Sequence, residues 1–91
     1  MKHRGAPVSL YFIRHARNRL RQQLKRFRVD EVDVRTVLDA PQFDEPDERH
    51  AGRRNAWGKR GSLWIRVTYV REPQRTVVIT LTVRRKGPGR G

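Results

Sequence analysis

The chain has three histidines, His3, His15 and His50. Histidine is the side chain that changes charge near neutral pH. There is no cysteine, which excludes a thiol nucleophile, a disulfide scaffold and a cysteine zinc site. The imidazoles stand among eighteen arginines and four lysines. Imidazole with guanidinium is the equipment for metal-free cleavage of RNA. A base activates the 2′-hydroxyl, an acid protonates the leaving oxygen, and cations stabilise the charge that builds on the phosphate. His3 lies in a basic N-terminal stretch and reads as solvated. His15 opens a helical pattern beside the apolar Ala16. It is a candidate acid or base, or a structural imidazole holding the helix to its neighbours. His50 follows an acidic stretch and neighbours Arg49, Arg53 and Arg54. It is a candidate acid or base, or a loop residue with no duty.

Arg19, Arg66 and Arg84 are the cations to place beside a phosphate, unless they are simply solvated. Arg14, Arg17 and Arg21, with Arg53 and Arg54, are further candidates for phosphate contacts. Trp57 and Trp64 can stack on bases, worth ~1–3 kcal/mol per base, or close the edge of a core. Thr80 and Thr82 can hydrogen-bond phosphate, or be ordinary strand residues. Asp44, Glu45, Asp47 and Glu48 match no closed calcium or magnesium loop and read as a solvated loop. Gly58, Gly61, Gly87 and Gly89 read as turns and tail, with no phosphate-cradling glycine loop. Neither a metal nor a cofactor is expected.

The elements that must hold these groups follow from periodicity. Residues 1–7 read as a flexible basic arm with Gly5 and Pro7 as breakers. Residues 8–12 are either a short strand or the lead-in to a helix. Ile13, Ala16, Leu20, Leu24 and Phe27 form one stripe of an amphipathic helix over residues 14–28, whose other faces are almost wholly cationic. Asp30 reads as the N-cap of a second helix, with Glu31 and Asp33 in its first turn and Val34, Val37 and Leu38 on its apolar face. Pro41 stops it. Residues 42–50 suit a loop or an edge strand, since Pro46 cannot donate to an interior ladder. Residues 51–60 are ambiguous, with Asn55, Ala56 and Trp57 as part of a strand.

Residues 62–71 and 75–84 alternate as strands, joined by a three-residue turn at Glu72-Pro73-Gln74. Leu63, Ile65, Val67 and Val77, Ile79, Leu81 then face a core. Trp64, Arg66, Thr68, Thr80, Thr82 and Arg84 face the other way. That polar face suits RNA, or is the ordinary wet side of an antiparallel sheet. Residues 85–91 read as a basic disordered tail. The expected fold is α+β: two N-terminal helices on one face of a three- to four-stranded antiparallel sheet, in one domain over residues 8–84.

At 91 residues the chain fits one domain. Only 35% of its residues are hydrophobic, so the core must be thin. No run is long enough to span a membrane, and no signal peptide is evident. A cytoplasmic protein is the default expectation. The net charge of +13 is segregated. Residues 1–29 carry +9, residues 30–50 carry −6 and residues 51–91 carry +10. Clustered arginine is the electrostatic footprint of a nucleic-acid binder, though an acidic protein partner or composition alone would also account for it.

Two stretches resemble a known family. They are Arg14-His15-Ala16-Arg17-Asn18-Arg19-Leu20 and the run from Val29 to Pro41, Val-Asp-Glu-Val-Asp-Val-Arg-Thr-Val-Leu-Asp-Ala-Pro. A bacterial family of unknown function reads His-Ala-x-x-Arg-Met/Leu in a first helix and Val-x-x-Val-Leu-x-x-Pro in a second. It closes on an Ile-Thr strand, which Val78-Ile79-Thr80 resembles. That family is similar to the RelE- and BrnT-like toxins of bacterial toxin–antitoxin pairs, small basic ribonucleases. The resemblance implies a metal-independent RNA endonuclease, acting on free or ribosome-associated RNA and neutralised by an acidic antitoxin. It singles out His15 and Arg19. A non-catalytic nucleic-acid-binding module and a protein-interaction domain are the competing readings.

Overall fold

The computed structural model describes residues 9–88. The basic arm with His3 and the end of the tail lie outside the described residues. The order is β1 (Ser9–Phe12), α1 (Arg14–Phe27), α2 (Glu31–Asp39), β2 (Phe43–Pro46), β3 (Arg54–Arg60), β4 (Leu63–Arg71) and β5 (Arg75–Arg84). The α+β class holds. The sheet, however, has five strands and is mixed, in the order β1-β5-β4-β3-β2. Strands β2 to β5 form an antiparallel meander, while β1 pairs parallel to β5. The two helices carry the chain from the β1 edge across one face to the β2 edge. A four-residue strand bears no local mark of its partner, so neither this pairing nor the strand count was expected. Pro46 sits on an edge strand, where its missing N–H is harmless.

α1 lies over β5 and β1, and α2 over β3 and β4. Ala16, Val29, Val34 and Val37 meet Phe12, Ala56, Ile65, Val67, Tyr69, Val78, Leu81 and Val83 in one core. Two residues expected to face the core, Val77 and Ile79, are displaced. Thr68 pairs with Thr80 but Tyr69 pairs with Val78, so Ile79 is an extra residue in a bulge. The alternation of β5 changes phase there. Val78, not Val77 or Ile79, enters the helix-side core. Gly58 is not a turn residue. It lies mid-β3 beneath α2, where an added Cβ would come 2.8 Å from Val37 Cγ2.

The junction of the helices is held from the sheet. α1 ends at Arg28, which takes a left-handed backbone (φ 60°) without being glycine. This conformation is costly for a residue with a Cβ. Arg60, on β3, donates to Arg28 O and Phe27 O, each at 2.7 Å, and to Asp33 Oδ2 at 2.9 Å. The last carbonyls of a helix lack intrahelical partners, and one guanidinium supplies two of them here. Asp33 also closes a capping box with Asp30. Asp33 N donates to Asp30 Oδ1 at 3.2 Å, and Asp30 N donates to Asp33 Oδ2 at 3.0 Å.

Two substitutions test this arrangement in urea unfolding. Arg60→Met is expected to destabilise by ~2–3 kcal/mol, because charge-assisted hydrogen bonds are lost and carbonyls orphaned. Arg60→Lys should recover only part, since an ammonium cannot reproduce the planar fork. Gly58→Ala should destabilise by ~1–3 kcal/mol through overpacking against Val37. No loss in either case would contradict the packing described.

Candidate nucleic-acid interface

The sheet face away from the helices is open to solvent and must protect its own apolar side chains. Trp57 pairs across to Arg66, and Trp64 to Arg84. The Arg66 and Arg84 guanidinium carbons lie 5.8 and 5.7 Å from the Trp57 ring centroid. Trp64 meets Trp57 edge-on at 6.4 Å, Phe43 packs on Trp64 at 6.0 Å, and Lys59 Nζ sits 5.5 Å from the Trp64 ring. Three aromatics thus form a floor and three cations lie over it. Trp57 is 5% exposed. Its ring is not available to stack on a base; it supports the arginines. Gly87 lies against the Trp64 indole, so close that a Cβ would fall 2.7 Å from Cε2.

Arg66 is the electrostatic centre of this face. Its Nη2 donates to Thr82 Oγ1 at 3.3 Å, and its Nε is buried without a hydrogen-bond partner. Burial, then repulsion from Arg84, pushes its pKa below the ordinary value; Arg19 adds to this and Asp47 opposes it. The electrostatic cost of crowding Arg66 against Arg84 is one that a nearby negative charge would relieve.

Beside Arg66 opens a groove of ≈ 690 Å³. Arg66, Asn55, Thr68 and Thr80 form its floor, while Arg53, His50, Asp47 and Glu48 approach from the loop between β2 and β3. The loop is shaped by Asp47. Its Oδ1 accepts from Arg49 N at 2.8 Å, and its Oδ2 lies 3.9 Å from His50 Nδ1. The Arg49 N–H holds the Asp47 carboxyl below the ordinary carboxylate value, assisted by His50 and Arg53. Thr68 Oγ1 donates to Asn55 Oδ1 at 2.6 Å.

The other sequence-derived candidates separate. His15 is exposed on α1 and is not among the groove residues. Arg19 lies at the β5 edge. β1 ends at Phe12, and Arg19 Nε donates to Leu81 O at 3.3 Å on the part of β5 that β1 leaves uncovered. The His-Ala-x-x-Arg spacing puts His15 one turn from Arg19 on the same flank of α1. Arg14, Arg17 and Arg21 are exposed along α1, with Arg17 over the Phe12 ring and Arg21 donating to Asn18. Arg54 is engaged elsewhere. It lies on the helix side of β3, donates to Asp44 Oδ1 and Asp44 O, each at 3.0 Å, and has its pKa raised chiefly by that hydrogen bond. Asn55, Lys59 and Phe43 were missed. The alternation of β3 places Asn55 and Lys59 beside Trp57, but that strand was ambiguous in the sequence.

Among the described residues no three His, Asp or Glu side chains gather as metal ligands, and no helix is long and apolar enough to cross a membrane. Comparisons with protein-family models, curated proteins and solved structures found no match.

Asp44 also accepts from Tyr69 Oη at 2.7 Å. Burial, with Asp44 beside it, raises the Tyr69 pKa. The neutral phenol is the form the fold favours. Its contribution is therefore present below the unfolded-state value of about 10 and is lost as pH rises through the folded value. Tyr69→Phe should cost ~1–2 kcal/mol near neutral pH by leaving Asp44 Oδ2 without its donor, while Arg54 still holds Oδ1. It should also flatten the loss of stability above pH ~10. Urea midpoints at neutral and alkaline pH check both; equal alkaline sensitivity would refute the assignment.

Proposed function

We propose that the chain binds single-stranded RNA along the open face of its sheet. The observation that carries this reading is Arg66: set with Arg84 over Trp57, it lines an open groove and has no salt-bridge partner among the described residues. Guanidinium groups set on indole are oriented before a phosphate arrives, and less side-chain entropy is lost on binding. Phe43, 40% exposed at the rim, and the partly exposed Trp64 beside it are the aromatics left to stack on a base. Arg19 extends the cationic surface round the β5 edge towards α1.

A specific observation favours cleavage of the bound strand. His50 shares the groove with Arg66 and has the Asp47 carboxylate beside it. In this reading His50 moves the proton and Arg66 with Arg53 stabilises the phosphate charge, as in a metal-independent toxin-like endonuclease. An acidic antitoxin would cover the same cations.

Anisotropy titrations with single-stranded RNA test the binding reading. Arg66→Ala and Arg84→Ala should each weaken binding about tenfold and lower the slope of log K against log salt by about one. Affinity independent of salt, or unchanged in both variants, would reject it. Incubating RNA in EDTA tests cleavage. His50→Gln should abolish the products while binding persists, and His15→Gln should leave them.

A further inference from the structure

The groove has two chemistries facing each other, and a plain polyanion satisfies only one. Arg66, Arg53 and the Thr80 hydroxyl line the groove and offer donors to a phosphate. Asp47 and Glu48 offer carboxylates in the same space. A phosphodiester chain running the length of the groove would meet those carboxylates with like charge. A single nucleotide turned across it would not, provided that its base presents donors to the acidic side. We infer that the groove is a guanine-selective nucleotide subsite, with the phosphate on Arg66 and Arg53 and the base edge on Glu48.

Guanine is the base that fits. Its N1–H and N2–H donors are adjacent and parallel, and match the two oxygens of one carboxylate as a guanidinium fork does. Adenine and cytosine set an acceptor beside their amino group, and uracil sets its one N–H between two carbonyls. Each would put a lone pair against a carboxylate oxygen. Glu48 has no hydrogen bond or ion pair among the described residues. Asp47 is less free, because its Oδ1 holds the Arg49 N–H. The volume of ≈ 690 Å³ lies within the range of about 300–1,000 Å³ typical of small-ligand sites. This subsite rests on the RNA-binding reading and adds to it: the strand that follows the open face places one guanosine here.

Calorimetric titration of the intact chain with the four nucleoside 5′-monophosphates tests the inference without RNA. Guanosine monophosphate should bind about tenfold more tightly than the other three. Inosine monophosphate, which lacks only the N2 amino group and keeps N1–H, should bind more weakly than guanosine monophosphate but above the other three. Glu48→Gln should remove the guanine preference while the chain remains folded by circular dichroism. Asp47→Asn is a second variant that can retain the acceptor for the Arg49 N–H, and it should reduce the preference less. Equal affinities for all five nucleotides, or a preference that survives Glu48→Gln, would overturn the inference. A parallel titration with a uridine homopolymer separates the two readings. Salt-dependent binding of that RNA with no guanine preference removes the subsite alone. Absent RNA binding with a guanine preference removes the RNA-binding reading and leaves a nucleotide site.

Discussion

Arg60 is the side chain on which the helical layer depends. A single guanidinium on β3 answers the last carbonyls of α1 and the carboxylate that starts α2. It therefore sets where one helix stops, where the next begins and how both sit on the sheet. Arg28 can hold its left-handed backbone because the carbonyl it presents is taken up at once. Asp33 is shared between the capping box and Arg60, so the N-terminus of α2 cannot shift without breaking both. With α2 fixed there, Val37 descends onto β3 at the position where only a glycine leaves room. The chain has few apolar residues, and these fixed contacts let a thin core suffice.

Covering one face of the sheet leaves the other exposed, and the chain has no third layer to put there. Trp57 and Trp64 nevertheless lie on that side. Trp57 is buried beneath the flat guanidinium groups of Arg66 and Arg84, while Lys59 and the backbone at Gly87 partly cover Trp64. Cation–π attraction contributes only about 0.5–2 kcal/mol per pair. Its larger consequence is orientation. The arginines cannot fold away into solvent without uncovering indole, so they remain as a cationic plane whose mutual repulsion an arriving anion relieves. The stability of the wet face and the anion binding proposed for it thus have one cause.

What was legible in the sequence was local. The stripe from Ile13 to Phe27 marked α1, Asp30 marked its successor, and the alternation of residues 62–71 placed Trp64 and Arg66 on the wet side. What was not legible depended on pairing. The four residues of β1 do not reveal that β5 lies beside them. The bulge at Ile79 reverses the facing of half of β5, yet Val77-Val78-Ile79 is equally apolar at each position. The groove was illegible for the same reason. His50 and Arg66 meet because β3 joins the loop before it to the strand after it. His15, marked by its motif spacing, lies outside that groove, and the structure gives Arg19 of the same motif a docking contact at the β5 edge.

The acidic segment takes on a different meaning once its contacts are resolved. Asp30 and Asp33 cap a helix, Asp44 anchors Tyr69 and Arg54, and Asp47 shapes its own loop. These carboxylates have local duties, and only Asp47 among them bears on the charge of Arg66. Among the cations, Arg54 and Arg60 are paired to those same acids, whereas Arg66, Arg84 and Lys59 lie over aromatic rings and have no acidic partner in a salt bridge among the described residues. The segregation of charge along the chain therefore persists in space. Arg19 stands where the two basic surfaces meet, at the uncovered edge of β5, and its charge already bears on Arg66. Under the proposed reading, a polyanion bound at Arg66 would meet Arg19 next along that edge, because the charge of Arg19 already adds to the field that Arg84 sets up at Arg66.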